Sequence, residues 1–369
     1  MENRETFERM IRKGSMSLRR STLFDTAPRP LPADFDWDRV EGMMLGLAIG
    51  DSLGNTSEGM LPGDRRKKFG EVRDYLPSRH METPQGGSPR GYPSDDTQLA
   101  FWTLEQILDN GQIDPALLYT RFAQNRIFGI GSSVRQFLSN MHAGKPWQEC
   151  ATPSAGNGAL MRIAPVLIPY ISNPSPDLWV DTALCAMITH NDTASLSACL
   201  AFVHILWELL CMKSPPEPRW WVEQYISVAR DLETGTAYRP RGGAFSGYSG
   251  PLWRYVEERL PEAWEKRLLV REACDEWFSG AYLLETVPSV LYILMCHGDD
   301  LEESIIRAVN DTKDNDTIAA IVGAAAGALH GKRKIPSRWV ASLSGRTTDR
   351  DDGRAFEILD MAKRFHKSI

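Results

Sequence analysis

A chain of 369 residues is long enough for one large domain or two, and with 42% of its residues hydrophobic it can bury a sizeable core. A formal charge of −6 is too small to steer strongly acidic or basic partners across the whole surface, so no nucleic-acid partner is expected. Six scattered cysteines without a CxxC pair exclude a disulfide framework and a zinc ribbon, and they read as reduced core thiols of a cytoplasmic protein.

Residues 1–36 differ in character from the rest of the chain. Phe7, Met10 and Ile11 give one or two amphipathic turns, and prolines stand at 28, 30 and 32. A helix that short is marginal in water, so the segment is expected to be an extension, either disordered or docked on something, a partner or its own domain. Glu2, Glu5 and Glu8 argue against a transit peptide, no h-region is present, and no apolar run reaches membrane-spanning length, so no membrane contact is expected. The first firm helix runs from Trp37 to Gly50. Its glycines at 42, 46 and 50 are four apart and leave one face without side chains, as tight packing in a helical core requires. It ends in Gly50-Asp51-Ser52-Leu53-Gly54, with Glu58 just beyond. The stretch 59–93 is long and rich in Gly, Pro and charge, and its run Arg65-Arg66-Lys67-Lys68 reads as solvated.

Ser94-Asp95-Asp96-Thr97-Gln98 then precedes an amphipathic helix that stops at Asn110-Gly111. Asp114-Pro115 supplies a cap and an N1 proline for the next one. The small-residue loop 152–158, TPSAGNG, is either a helix-start turn or a place where backbone closely approaches a ligand. Helices over 177–188 and 191–212 flank Thr189-His190, a histidine that taken alone reads as structural. The loop RPRGGAFSGYSG after Trp220-Trp221 reads as an insertion. Helical patterns resume over 279–297, 301–310 and 354–366, and clean strand alternation is scarce. The expectation is an all-α domain over 37–369, with a dozen or more helices and no internal repeat.

The most telling stretch is 310–331, NDTKDNDTIAAIVGAAAGALHG. Oxygen-bearing side chains (Asp311, Thr312, Asp314, Asp316, Thr317) crowd before an apolar run, in which Ile318, Ile321, Val322 and Ala325 mark a buried helix. Carboxylates at a helix start have a plain reading as caps. One cap needs one Asp, however, and several acids in one turn repel unless a cation neutralises them. The same device occurs at 94–97. Two such helix starts facing each other would supply four carboxylates and the hydroxyls of Ser94 and Thr317, an all-oxygen site suited to Mg²⁺, Mn²⁺ or Ca²⁺.

Six motifs occur in fixed order: GDSLG…E at 50–58, SDDTQ at 94–98, GNGALMRIAP at 156–165, TH at 189–190, SGAYLLETVPSVLY at 279–292 and DNDTIAAIVGAAAGALHG at 314–331. Together they resemble the ADP-ribosylglycohydrolase family, which includes dinitrogenase-reductase-activating glycohydrolases and ADP-ribosylhydrolases. The resemblance covers roughly Asp38 to Lys334. It implies an orthogonal multi-helix bundle with two Mg²⁺ ions (or Mn²⁺) held by Ser94, Asp95, Asp96, Asp314, Asp316 and Thr317. The family usually has Thr where Ser94 stands, and Gly-Gly where Thr312-Lys313 stands, a departure that bears on the loop's conformation and its metal affinity. The resemblance assigns catalysis to Glu58, on a mobile loop, and Asp96. It assigns ADP-ribose contact to Gly156, Asn157, Gly158 and His190.

The implied activity is metal-dependent removal of ADP-ribose from modified proteins, with arginine as the first linkage to try, reversing an ADP-ribosyltransferase such as a toxin. The bond cleaved joins C1 of a ribose to a side-chain atom, through a transition state of oxocarbenium character. A competing expectation is an immunity protein that blocks such a toxin by contact through residues 1–36. A third, an inactive relative of the kind found among crystallins, is opposed by the acids at 95, 96, 314 and 316.

Overall fold

The computed structural model describes residues 2–78, 89–345 and 354–368. In chain order its helices are α1 (Glu2–Lys13), α2 (Asp38–Gly54), α3 (Pro62–Phe69), α4 (Asp95–Asn110), α5 (Pro115–Gln124), α6 (Ser132–His142), α7 (Asp177–Met187), α8 (Thr193–Cys211), α9 (Pro218–Leu232), α10 (Leu252–Glu265), α11 (Val270–Glu276), α12 (Leu283–His297), α13 (Leu301–Asp311), α14 (Asn315–His330), α15 (Ser337–Ser342) and α16 (Ala355–Ser368). Among the described residues β-structure is confined to isolated bridges, so the expected all-α architecture is what forms.

The spine of the bundle is the antiparallel pair α2 and α14. Gly42, Gly46 and Gly50 lie against Gly327, Gly323 and Ala319 in turn. A Cβ placed on Gly46 would sit 2.0 Å from the Gly323 carbonyl oxygen, and one on Gly50 2.0 Å from that of Ala319. The two helices therefore meet backbone to backbone, which only glycine on the facing side allows. The register carries on to the site: a Cβ on Gly54 would fall 2.4 Å from Asp316 Cα. The stripe thus delivers the end of α2, with Asp51 and the turn to Glu58, to the acid-bearing start of α14. α14 is buried along nearly its whole length, as its lack of charge requires.

Two sequence expectations give way here. By length and composition α8 is apolar enough to cross a membrane, yet 83% of that window is buried inside the fold, where it packs on α7, α9 and α14. The basic run 65–68 is not uniformly solvated, because Arg65 is completely buried. All six cysteines are free thiols, and four of them are buried.

Residues 2–36 are docked on their own domain. Phe7 and Phe24 are fully buried with ring centroids 4.4 Å apart, and Met10, Met16 and Leu18 are buried with them. Asn3 Nδ2 donates to Asp181 Oδ1 at 2.8 Å. The indole N–H groups of Trp179 and Trp207 donate to the carbonyls of Thr26 and Arg29, each at 2.8 Å. The apolar side chains that read as an anchor for a partner are thus part of this core, and two core tryptophans depend on the segment for their hydrogen-bond acceptors.

Candidate active site

The acids at the start of α4 do not cap it. Asp51, reaching across from α2, takes that role: it accepts from Ser94 N (2.8 Å), Ser94 Oγ (2.7 Å), Thr97 N (3.1 Å) and Thr97 Oγ1 (2.6 Å). Asp95 and Asp96 are left to face a cavity of about 310 Å³. Asp96 Oδ1 is buried there without a hydrogen-bond partner. At the start of α14, Asp314 likewise makes no cap bond; its Oδ2 accepts from Asn157 Nδ2 at 2.6 Å. The capping reading therefore fails for Asp96 and Asp314, while Asp316 Oδ1 meets one N–H of the first turn of α14, that of Thr317, at 2.9 Å. One carboxylate oxygen each of Glu58, Asp314 and Asp316 lie within 4.8 Å of one another.

Electrostatics agree with this crowding. Burial first, then the charge of neighbours, pushes Asp95, Asp96 and Asp316 well above the ordinary carboxylate range. The neighbours are Asp51 for Asp95, Asp51 and Asp316 for Asp96, and Glu58 and Asp314 for Asp316. Burial raises Asp314 to about 6 against the opposing hydrogen bond from Asn157. A cation bound among these groups would offset both burial and repulsion, and an unpartnered buried oxygen such as Asp96 Oδ1 is the donor atom it needs. The residues present fit a divalent ion. Thr317 lines the cavity with them, whereas Ser94 does not: its hydroxyl is turned to Asp51 and lies 3.3 Å from Asp96 Oδ2.

The loop 152–158 lines the same cavity through residues 154–158. It is pinned by bridges from Thr152 to His190 and from Gly156 to Tyr282. Its glycines make room for a side chain as well as for a ligand, since a Cβ on Gly158 would lie 3.0 Å from His190 Cε1. Four of its N–H groups are already engaged: Thr152 with Thr189 O, Ser154 with Thr152 O, Gly156 with Ser154 Oγ and Asn157 with Ala281 O. His190 is set by a relay. The buried Arg162 donates from Nη2 to Thr189 Oγ1 at 2.9 Å, and that hydroxyl is in turn hydrogen-bonded with His190 Nδ1, 2.9 Å away. The other ring nitrogen, Nε2, faces the glycine loop. Burial, reinforced by Arg162, lowers the imidazole to about 3, so it is neutral.

Thr312 and Lys313 do not distort the acid loop. Thr312 has φ −117°, and Lys313 is not among the described non-glycine residues of positive φ, so glycine is not required. The unusual backbone is across the way, at Phe278 (φ 74°) and Ser279 (φ 37°). Ser279 O accepts from the N–H groups of Lys313 (3.2 Å) and Asp314 (3.0 Å), and the Lys313 ammonium sits 3.6 Å over the Phe278 ring. Arg65 adds a second tie, donating to Thr312 O at 2.8 Å and to Ser57 Oγ at 2.9 Å. Burial lowers it only to about 10, so it stays charged and holds the Glu58 turn to the acid loop.

Glu58, Asp95, Asp96, Gly156, Asn157, Gly158, His190, Asp314, Asp316 and Thr317 thus meet around one cavity. Sequence reasoning missed Asp51, Arg65 and Arg241. Asp51 carried a signal, a charge within an apolar helix, but Arg65 lay hidden in a basic run and Arg241 in what read as an insertion.

Comparison with known proteins agrees with the fold and with the motif order. The ADP-ribosylglycohydrolase family model matches residues 32–368. The ADP-ribosyl-[dinitrogen reductase] glycohydrolase of Rhodospirillum rubrum is 28% identical, over 83% of this chain and 90% of its own. The ADP-ribosylarginine hydrolase Tri1 of Pseudomonas putida is 27% identical, over 83% of this chain and 74% of its own. A solved structure described as an ADP-ribosylglycohydrolase-related protein complex superposes with a TM-score of 0.63 and 28% identity, covering 89% of this chain and 97% of that one. The chain belongs to the ADP-ribosylglycohydrolase family, and it is a glycohydrolase that releases ADP-ribose from modified proteins.

Proposed function

We propose that the linkage cut is ADP-ribosyl-arginine, and that two Mg²⁺ ions, or Mn²⁺ in their place, are held between the starts of α4 and α14. The observation that carries the reading is the convergence of Glu58, Asp95, Asp96, Asp314 and Asp316 on one cavity that glycine-rich backbone also lines. Asp95, Asp96, Asp314, Asp316 and Thr317 would hold the ions, with the Ser94 hydroxyl available on a small rotation away from Asp51. When bound, such ions orient ribose hydroxyls and polarise water.

The chain's own residues supply the rest. Glu58 is exposed at the cavity beside Asp316, and its carboxylate takes the proton from the attacking water or returns one to the departing guanidine nitrogen. Asn157 steadies Asp314, and itself donates to Thr286 Oγ1 at 3.0 Å. His190, neutral and held through Nδ1 by Thr189, turns Nε2 to the glycine loop. An acidic surround suits a cationic guanidinium acceptor, and one relative is named for arginine. The test is incubation with an arginine-ADP-ribosylated protein and a serine-ADP-ribosylated one, each with Mg²⁺ and with chelator. Release from arginine, abolished by chelator, is expected. Release from serine alone, or release that chelator leaves untouched, contradicts the proposal.

A further inference from the structure

The cavity has a charge problem that its glycine loop does not solve. Five carboxyl groups line it, and among the described lining residues Arg241 is the one lysine or arginine. ADP-ribose brings a diphosphate with two further negative charges. The loop 152–158 offers few donors for them, because the N–H groups of Ser154, Gly156 and Asn157 are engaged within the protein. His190 is neutral and contributes no charge.

Arg241 is built to meet this need. It comes from the loop between α9 and α10. Its Nε and Nη2 donate to the two oxygens of Glu285 at 3.0 and 2.8 Å. The Glu285 side chain is completely buried, while that of Arg241 is 55% exposed. The guanidinium also lies 5.0 Å over the ring of Tyr282, the residue bridged to Gly156. A buried carboxylate on one edge and an aromatic face beneath fix the plane. Arg241 lines the cavity together with the glycine loop, and Nη1 is not used by the Glu285 pair. An arginine held this way loses little entropy when it binds a phosphate oxygen. The loop carrying it is fixed as well, since Ala244 N donates to Glu276 O at 2.6 Å and Gly242 packs on the Phe278 ring.

We propose that Arg241, positioned by Glu285, is the cation that recognises the diphosphate of ADP-ribose in this enzyme. The inference rests on the reading of this cavity as the ADP-ribose site. Arg241→Ala alone would leave Glu285 buried without its partner, so the double variant Arg241→Ala, Glu285→Gln is measured beside it.

The experiment is calorimetric binding of ADP-ribose and of adenosine to the full chain at two salt concentrations, without turnover. Loss of a charge-assisted contact is expected to weaken ADP-ribose by about 10- to 100-fold in both variants and to flatten the salt dependence, leaving adenosine unchanged. Glu285→Gln, with Arg241 retained, is expected to weaken ADP-ribose less than the double variant does. Wild-type affinity for ADP-ribose in the double variant overturns the proposal. Equal weakening of ADP-ribose and adenosine overturns it too, because Arg241 would then be a strut of the loop. Failure of the wild type to bind ADP-ribose at all removes the reading beneath it.

Discussion

At the scale of single residues, the proposed reading divides acids that hold from an acid that moves protons. Asp51 is tied by four hydrogen bonds at the start of α4, while Glu58 stands exposed at the cavity. Glu58→Gln keeps the shape and removes the base. It is expected to lower kcat by roughly 10²- to 10⁴-fold with ADP-ribose affinity near wild type, and unchanged turnover in that variant would move the base elsewhere. His190 gives a pH signature. Its imidazole is lowered from 6.5 to about 3, so below 6.5 the unfolded chain binds a proton that the folded protein refuses. The stability this group contributes is complete above 6.5 and is lost as pH falls toward 3. Melting curves across that window are expected to slope less for His190→Asn than for wild type; equal slopes would mean that His190 is protonated in the fold.

At the scale of elements, the glycine stripe sets the geometry. In Gly46→Ala the new methyl meets backbone on the partner helix, with no side chain to give way. A loss of about 1–3 kcal/mol or more is expected in denaturant unfolding, with activity falling because the α2 and α14 ends separate. Gly63→Ala in α3 meets nothing within 4 Å, so it is expected to stay within about 0.5 kcal/mol of wild type. Equal effects of the two would contradict the backbone-on-backbone packing. The stripe's four-residue spacing was readable from the chain, and so were the two acidic helix starts. Which helix met the stripe was not, because spacing names a face and not its partner. The role of the acids was also ambiguous in sequence. It resolved only when Asp51, 43 residues before Ser94, was seen to do the capping. The Thr312-Lys313 departure puts no left-handed backbone in the acid loop, since the tight backbone sits at Phe278 and Ser279, an arrangement with no local signal.

At the scale of the whole molecule, residues 2–36 act as a brace. Their apolar residues are too sparse to announce a core, and the groups they meet in the rest of the fold, Trp179, Asp181 and Trp207 among them, are distant in sequence. Removing residues 1–36 would expose the surface around Phe7 and Phe24 and orphan the indoles of Trp179 and Trp207. Melting temperature and activity are expected to fall together; a truncated protein that melts and turns over like the full chain would show the segment to be dispensable. A bound metal, on the proposed reading, would be the other influence on the whole fold. The acids at the starts of α4 and α14 and the Glu58 turn line one cavity, so an ion bound there would join segments some two hundred residues apart and stabilise the native state by mass action. The most direct measurement is the melting temperature of chelator-treated protein during Mg²⁺ titration, for wild type and Asp316→Ala, with hydrolysis followed in parallel. Wild type is expected to rise in melting temperature and gain activity together, and Asp316→Ala to do neither. A wild-type protein that melts at the same temperature with and without Mg²⁺ or Mn²⁺, and hydrolyses its substrate fully in chelator, would contradict the account.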